Sequence, residues 1–279
     1  MTALIFHSNP WLLPLLMLFV LALAIELPYR FAGRVARFAM THSDAFNVVQ
    51  AGLLTLSSFV LGLSFAQASS RFDVRRDLVV KEANAIGTTW LRADQLGPVR
   101  GLQFRKVLTS YTAMRLAAYQ RPGNAQSIQA AQRATDDEQA ELWKTASSAL
   151  YAQPKIGLSL LVQALNDTID VSAEQLQALT VHVPTEIVVL TLILVTLGAL
   201  SLGLRFAMDK VRPTGLSAVY VVASVVVISM MIDYDRPQSG FIKVDLTPLT
   251  MQLQSMQRSE NATPQAGRVA PEPSPGRNS

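Results

Sequence analysis

Residues 45–70 read AFNVVQAGLLTLSSFVLGLSFAQASS and contain no charged side chain. A helix rises about 1.5 Å per residue, so this stretch is long enough to cross the roughly 30 Å hydrocarbon core of a bilayer. Helices of soluble proteins are usually much shorter and carry charges on one face. The stretch therefore predicts a membrane-spanning helix at about 46–66.

Three further uncharged stretches of similar length lie near Pro10, Ile187 and Leu216. No Lys or Arg precedes the first of them, whereas a cleaved signal peptide begins with positive charges, so we expect a retained span. Only 16% of the residues are charged, which is well below the share in soluble domains. We predict an all-α integral membrane protein with four transmembrane helices, at about 10–27, 46–66, 185–204 and 216–232.

A polar region at 71–184 separates the second span from the third. Apolar residues recur there at helical spacing, beginning with Phe72, Val79, Ala83, Ile86 and Trp90. The pattern continues an apolar face out of the second span, so we expect one long helix as far as Gly97-Pro98. Helices are also predicted from there to about 121, at about 125–150 and at about 156–179. Four amphipathic helices can bury their apolar faces as an inserted helical bundle.

The rest of the domain organisation follows from composition. Spans one and two occupy 1–70, and spans three and four occupy 185–232. Residues 233–258 form a polar segment after the last span. Residues 259–279 contain four prolines and no aromatic residue, so they lack the means to bury a core and are predicted to be disordered.

Several classes of function are disfavoured by composition. The net charge of +4 is spread along the chain, so no nucleic-acid partner is expected. The absence of cysteine excludes thiolate metal ligands, and His7, His42 and His182 are too scattered to form a metal site. No nucleophile motif or Gly-rich phosphate loop is present, so we predict no cofactor and no enzymatic activity. The spans carry no charge away from their ends, which disfavours a coupled pump.

A dense charged cluster, RFDVRRD at 71–77, follows the second span. On a helix, Asp73 and Asp77 are like charges four residues apart, so the cluster is not an optimised solvated face. Two interpretations remain open. The arginines could snorkel to the membrane interface beside acidic partners. Alternatively, Arg71, Arg75 and Arg76 could form a charged vestibule at the mouth of an assembled pore, where they would concentrate anions.

Asp233 and Asp235, at the end of the fourth span, are candidate carboxylate ligands for a cation. Arg236 is adjacent to them and Pro237 follows. This arrangement favours an interfacial salt bridge and a helix stop over a metal site.

Two long motifs resemble a known family. The first comprises Gly62, Phe65, Ala68, Arg71-Phe72-Asp73, Arg75-Arg76, Leu78-Val79-Val80, Glu82 to Thr88 and Leu91 to Asp94. The second comprises Asp233 to Pro237, Gly240, Ile242, Val244 and Pro248-Leu249. In this order, over about 10–249, they resemble the signature of the bacterial bestrophin-like membrane proteins. The resemblance implies a multi-pass protein of the bacterial inner membrane.

A more distant resemblance suggests how the second span is used. Ser58 to Gly62, followed by Arg71, is similar to the pore-lining span of animal bestrophins, which are pentameric anion channels. The resemblance implies a homo-oligomer whose pore is lined by Thr55, Phe59 and Leu63. Thr55 and Leu63 stand where those channels carry an aliphatic and an aromatic side chain. An acidic calcium clasp is missing, so calcium gating is not implied.

Ordinary helix packing competes with the pore interpretation. The second span is rich in small and polar residues that let helices approach closely, namely Gln50, Gly52, Thr55, Ser57, Ser58, Gly62, Ser64 and Gln67. We expect an oligomeric channel, with the lipid bilayer, further copies of the chain and small anions as partners. The alternative is a membrane-anchored helical interaction or sensory module without transport activity, and an enzyme acting on lipid is a distant third.

The orientation in the membrane is left open by the charges. Two short basic loops share one side, and a third basic group, at 71–81, lies on the other. The first span has no Lys or Arg before it and three Arg after it, which places the amino terminus outside. The resemblance to bestrophins instead implies that the inserted domain is cytoplasmic.

Overall fold

The computed structural model describes residues 11–31, 33, 37, 40–120, 125–181, 183–235 and 241–262. Regular secondary structure in these ranges is helical, without a strand, which confirms the all-α prediction. The helices are α1 (Leu12–Phe31), α2 (Ser43–Arg92), α3 (Pro98–Gln120), α4 (Ala125–Ala152), α5 (Ile156–Thr180), α6 (Thr185–Asp209), α7 (Thr214–Tyr234) and α8 (Thr247–Ala262). His7, Arg34, His182, Arg236 and the tail at 263–279 lie outside the described residues.

Four segments are long and apolar enough to cross a membrane, and they contain α1, α2, α6 and α7. Helix α1 extends beyond the predicted end of the first span and includes Pro28. Proline removes one backbone hydrogen bond, a loss that membrane helices tolerate when neighbouring groups satisfy the freed carbonyl. Helix α2 contains 50 residues without a proline, which corresponds to about 75 Å. The expected fusion of the second span with the first helix of the polar region is therefore confirmed.

The break after α2 lies where the sequence predicts it. A short 3-10 turn, Ala93–Leu96, leads to Gly97, whose φ of 79° lies in the left-handed region that glycine tolerates best. Pro98 is the first residue of α3, where its missing N–H costs nothing because that position has no intrahelical acceptor. Five residues thus separate the end of α2 at Arg92 from the start of α3 at Pro98.

The chain divides into two compact units. The first, Met1–Arg75 with Gln177–Val244, contains the apolar helices. Its core is formed by α1, α6 and α7, with residues such as Leu21, Ala199 and Ile228. Gly203 of α6 lies so close to the backbone of Ile25 in α1 that a β-carbon would clash with it. Small residues at such crossings allow the backbone contact that drives association in lipid.

The second unit, Arg76–Leu176 with Asp245–Ser279, is a helical bundle. Its buried side chains come from α2 to α5 and include Ile86, Phe104, Leu142 and Leu161. Helix α8 is a fifth helix of this bundle. Its residues were predicted only to form a polar segment after the last span. Its buried apolar residues are Leu249, Leu253 and Met256. The helix also takes in residues 259–262, which were expected to belong to the disordered tail.

Candidate functional site

The outward face of α2 carries the three predicted pore residues. Thr55, Phe59 and Leu63 are spaced four residues apart, so they form one stripe along the helix. All three are exposed, with 62% of Phe59 and 51% of Leu63 accessible. A β-carbon placed on Gly52 or Gly62 would meet no atom within 4 Å in the described part of the chain. This face therefore has no covering element among the described residues of a single protomer.

The inward face of α2 uses its hydroxyl groups for packing. Ser57 donates a hydrogen bond to the carbonyl of Leu194 at 3.0 Å, and Ser64 pairs with the hydroxyl of Thr191 at 3.0 Å. Ala68, one turn further along, is fully buried. Packing therefore accounts for Ser57 and Ser64, whereas it does not account for the exposed stripe.

Arg75 is the strongest anchor of this inward face. Its side chain is 4% exposed and donates to three backbone carbonyls at 3.0–3.1 Å, those of Ala178, Val181 and Tyr234. A carboxylate oxygen of Asp235 lies 3.7 Å from the guanidinium. Burial lowers the pKa of Arg75 from its ordinary value, and Asp235 only partly offsets that effect. The contacts join α2 to the end of α7, to the last turn of α5 and to the chain that follows α5.

The two candidate cation ligands have other partners. Asp235 accepts a hydrogen bond from the Val183 N–H at 3.1 Å in addition to its pairing with Arg75. Both carboxylate oxygens of Asp233 accept backbone N–H groups, those of Phe241 and Ile242, at 2.7 Å each. Among the described residues, Asp235 pairs with Arg75, which lies far away in sequence, and the predicted partner Arg236 lies outside the described residues. Within the described ranges no cluster of three or more potential ligands is present.

The three predicted vestibule arginines are separated by the structure. Arg76 is exposed, Arg71 is partly buried and Arg75 is buried. Arg75 follows Phe59 by sixteen residues, which places it about 160° around the helix from the exposed stripe. Asp73 is only about 40° from the line of Phe59 and is exposed. Arg75 is therefore an internal anchor, and the charged residues that continue the stripe are Asp73 and Asp77, the latter being exposed and eighteen residues, or five full turns, after Phe59.

The helical bundle contains a second buried ionic cluster, which the sequence analysis missed. Glu82 of α2 is fully buried and accepts a hydrogen bond at 2.6 Å from Nε of Arg115. The hydroxyl of Tyr119 donates to the other oxygen of Glu82 at 3.0 Å. Arg115 also donates to the side-chain oxygen of Gln175 at 3.1 Å. The position of Glu82 on the apolar face of α2, next to Ala83, was the available signal.

The electrostatics of this cluster follow from its burial. Burial, the largest single cause, would lower the pKa of Arg115, but the attraction of Glu82, its hydrogen bond and the neighbouring Tyr119 and Tyr111 together raise the pKa. Burial, together with the negative charge of Glu82, raises the pKa of Tyr119 well above its ordinary value. The cluster thus favours a charged Arg115 and a neutral Tyr119.

These features define an all-α membrane-type protein with an inserted helical bundle and an uncovered face on α2. The family model of the Bestrophin-like domain matches residues 7–249, and the chain belongs to that family. A search of curated proteins gives no match.

Solved structures show the same fold. A crystal structure of a mutant bacterial bestrophin homologue from Klebsiella pneumoniae superimposes with a TM-score of 0.62 at 15% identity, covering 88% of this chain and 98% of that one. Another crystal structure of that homologue gives 0.63 at 15% identity, with 90% and 99% covered. A structure described as a membrane protein gives 0.64 at 16% identity, with 88% and 97% covered. At this identity the likeness concerns the fold alone.

Proposed function

We propose that the chain assembles as a homo-oligomeric ion channel of the bacterial inner membrane, with α2 of each copy lining the pore. The observation that carries this proposal is the exposed stripe of Thr55, Phe59 and Leu63, opposite a face that is fully used for packing. Four spans are too few for one chain to enclose a pore. Copies arranged around a common axis would cover the stripe and narrow the pore at Phe59.

Small residues beside the stripe support close approach of the copies. Gly52, Gly62, Ala66 and Ser70 are on the accessible side of α2, and such residues permit tight helix contacts in lipid. The Klebsiella protein that shares the fold is described as a bestrophin homologue. Bestrophins conduct anions, which is the reason for proposing small anions as permeant ions here.

The ion preference depends on the charges that follow the constriction. The expected vestibule of three arginines loses Arg75 to the protein interior, so anion attraction rests on Arg71 and Arg76. Asp73 lies on the exposed stripe, and its negative charge opposes the attraction of anions. We propose that the balance between Asp73 and Arg71 sets the selectivity. Asp73→Asn should then shift the reversal potential in a KCl gradient toward that of chloride, and Arg71→Gln should shift it toward that of potassium.

Planar-bilayer recording of the purified protein tests conduction itself. Phe59→Ala widens the proposed constriction and should change the single-channel conductance at least about twofold, because an aromatic ring is removed from every subunit. Phe19→Ala is the matched control, since Phe19 on α1 is equally exposed at 64% but lies outside the stripe. Native mass spectrometry of the same samples reports the subunit number.

Two outcomes would overturn the proposal. A monomer under all membrane-mimetic conditions would remove the geometry of the pore. Reproducible electrical silence from folded oligomers would instead favour the alternative, a membrane-anchored interaction or sensory module. A reporter fused after Ser279 would determine which side of the membrane the inserted bundle occupies.

A further inference from the structure

Two arginines from different parts of the first unit share one carboxylate oxygen. Arg30, in the last turn of α1, places Nε 2.6 Å from Oε1 of Glu26. Arg212, between α6 and α7, places Nη2 2.6 Å from the same oxygen. One negative charge therefore faces two positive charges, and the group of three carries a net charge of +1.

The two guanidinium groups remain accessible. Side-chain exposure is 61% for Arg30 and 55% for Arg212, against 30% for Glu26. Each guanidinium has five N–H donors in a planar fork, and Glu26 engages one of them on each arginine. Arg212 also lies over the ring of Tyr29, with 5.6 Å between its Cζ and the ring centroid. The pair is thus held in place while more than half of each arginine side chain remains accessible.

The position along α1 places this group at the level of lipid headgroups. Helix α1 is uncharged from Leu12 to Ile25, and Glu26 follows directly. Tyr29 lies one turn further, as expected for an aromatic side chain at a membrane–water interface. The ligand chemistry available at that depth is the phosphate of a lipid, which matches the bidentate geometry of arginine.

A nearby arginine at the same end of the unit provides a contrast. Arg205 lies 2.9 Å from a carboxylate oxygen of Asp209 and donates to the side-chain oxygen of Asn47 at 2.8 Å. Its charge is matched one to one by Asp209. The excess positive charge is therefore a property of the Arg30–Arg212 pair and not of every arginine at this end.

We propose that Arg30 and Arg212 form a binding site for the phosphate of an anionic phospholipid, with Glu26 holding the two guanidinium groups side by side. The lipid is the source of the phosphate because the site lies at the end of an apolar spanning helix. The site is independent of ion conduction.

Native mass spectrometry of the full chain, titrated with phosphatidylglycerol in detergent, tests the site. Arg30→Gln combined with Arg212→Gln should weaken phosphatidylglycerol binding at least about tenfold, while Arg205→Gln, the matched control, should leave it unchanged. Glu26→Gln keeps a side-chain oxygen that can accept from both guanidinium groups and removes the negative charge that repels the lipid phosphate, so it should bind phosphatidylglycerol at least as tightly as the unmodified chain. Phosphatidylcholine, whose phosphate is paired with choline in its own headgroup, should bind the unmodified chain more weakly than phosphatidylglycerol and should change less between the variants.

A conservative variant distinguishes bidentate binding by the guanidinium group from attraction by positive charge alone. It also controls for misfolding. Arg30→Lys with Arg212→Lys keeps both charges and should still lose most of the affinity, since lysine binds phosphate as a point charge. Full affinity in this variant would overturn the site. So would equal losses in the Arg205→Gln control, or displacement of phosphatidylglycerol by millimolar inorganic phosphate, which would identify a free anion as the ligand.

Discussion

Arg75 and Arg115 are both buried, but they are neutralised in opposite ways. Arg75, in the first unit, donates hydrogen bonds to three backbone carbonyls, and its carboxylate partner lies 3.7 Å away. Arg115, in the helical bundle, forms a direct 2.6 Å ion pair with Glu82. Accordingly, the pKa is lowered for Arg75, mainly by burial, and raised for Arg115, where burial is outweighed by Glu82 and the neighbouring tyrosines together.

The difference teaches which partner each arginine depends on. Backbone carbonyls are fixed by the fold, so the site of Arg75 would survive changes to its acidic neighbour. The site of Arg115 depends on one side chain, and removing a partner from a buried ion pair leaves a charge uncompensated in a low-dielectric interior.

The largest effect is expected from Glu82→Ala. It leaves Arg115 buried without its counter-charge and should reduce the free energy of unfolding by about 3–5 kcal/mol. Chemical unfolding in detergent, together with hydrogen exchange of peptides from α3, measures the change. Glu174→Ala is the control, because Glu174 is exposed on α5 and should change stability little. A loss no larger than that of the control would show that the pair does not stabilise the bundle.

A somewhat smaller effect is expected from Arg75→Met. The substitution keeps much of the side-chain volume but leaves three carbonyls without their shared donor, which should cost about 2–4 kcal/mol. The same unfolding measurement applies. Arg76→Met is the matched control, since Arg76 is the exposed neighbour on the same helix. Equal behaviour of the two variants would contradict the role of Arg75 as an anchor.

Alkaline pH should weaken the bundle's cluster. The pKa of Tyr119 is raised in the folded protein, so the folded state holds the phenol proton more tightly than the unfolded state does. This stabilisation is fully present below the unfolded pKa of about 10 and is lost as pH rises toward the folded pKa, by about 1.4 kcal/mol per pH unit. Tyr119→Phe should flatten the dependence. An unchanged slope in that variant would assign the titration to another group.

The smallest effect is expected from Asp235→Asn. The amide oxygen can still accept the N–H of Val183, and Arg75 keeps its three carbonyls, so the loss should be about 1 kcal/mol. Glu82→Gln is the parallel change in the bundle and should cost clearly more. If Asp235→Asn were as damaging as Glu82→Gln, the carbonyls would not be the main partners of Arg75.

Local signals in the sequence were sufficient to predict most of the helices. Uncharged lengths located the four spans, because the bilayer imposes a minimum apolar length on each of them. Gly97-Pro98 and Pro154 located the helix ends in the polar region, because both residue types disfavour continuation of a helix. The packing of α8 into the bundle was not predicted, since nothing in its sequence indicates which distant helices cover Leu249 and Met256.

The candidate site was predictable in part. The spacing of Thr55, Phe59 and Leu63 placed them on one helix face, which the structure shows as exposed. The different burial of Arg71, Arg75 and Arg76 was not predictable. Adjacent positions on a helix point about 100° apart, and the sequence does not indicate which direction faces the protein interior. The acceptors of Arg75 are backbone carbonyls more than a hundred positions away. Because every residue has a backbone carbonyl, the sequence does not indicate which ones accept these hydrogen bonds.

The distribution of α8 and its partners along the chain has a consequence for biogenesis. The bundle needs Leu249, Leu253 and Met256, yet its other helices end at Thr180. At roughly 5–20 residues per second, a ribosome makes those helices several seconds before α8. During translation the nascent bundle therefore exposes an apolar groove, and premature termination before Thr247 would leave that groove permanently open to chaperones and proteases.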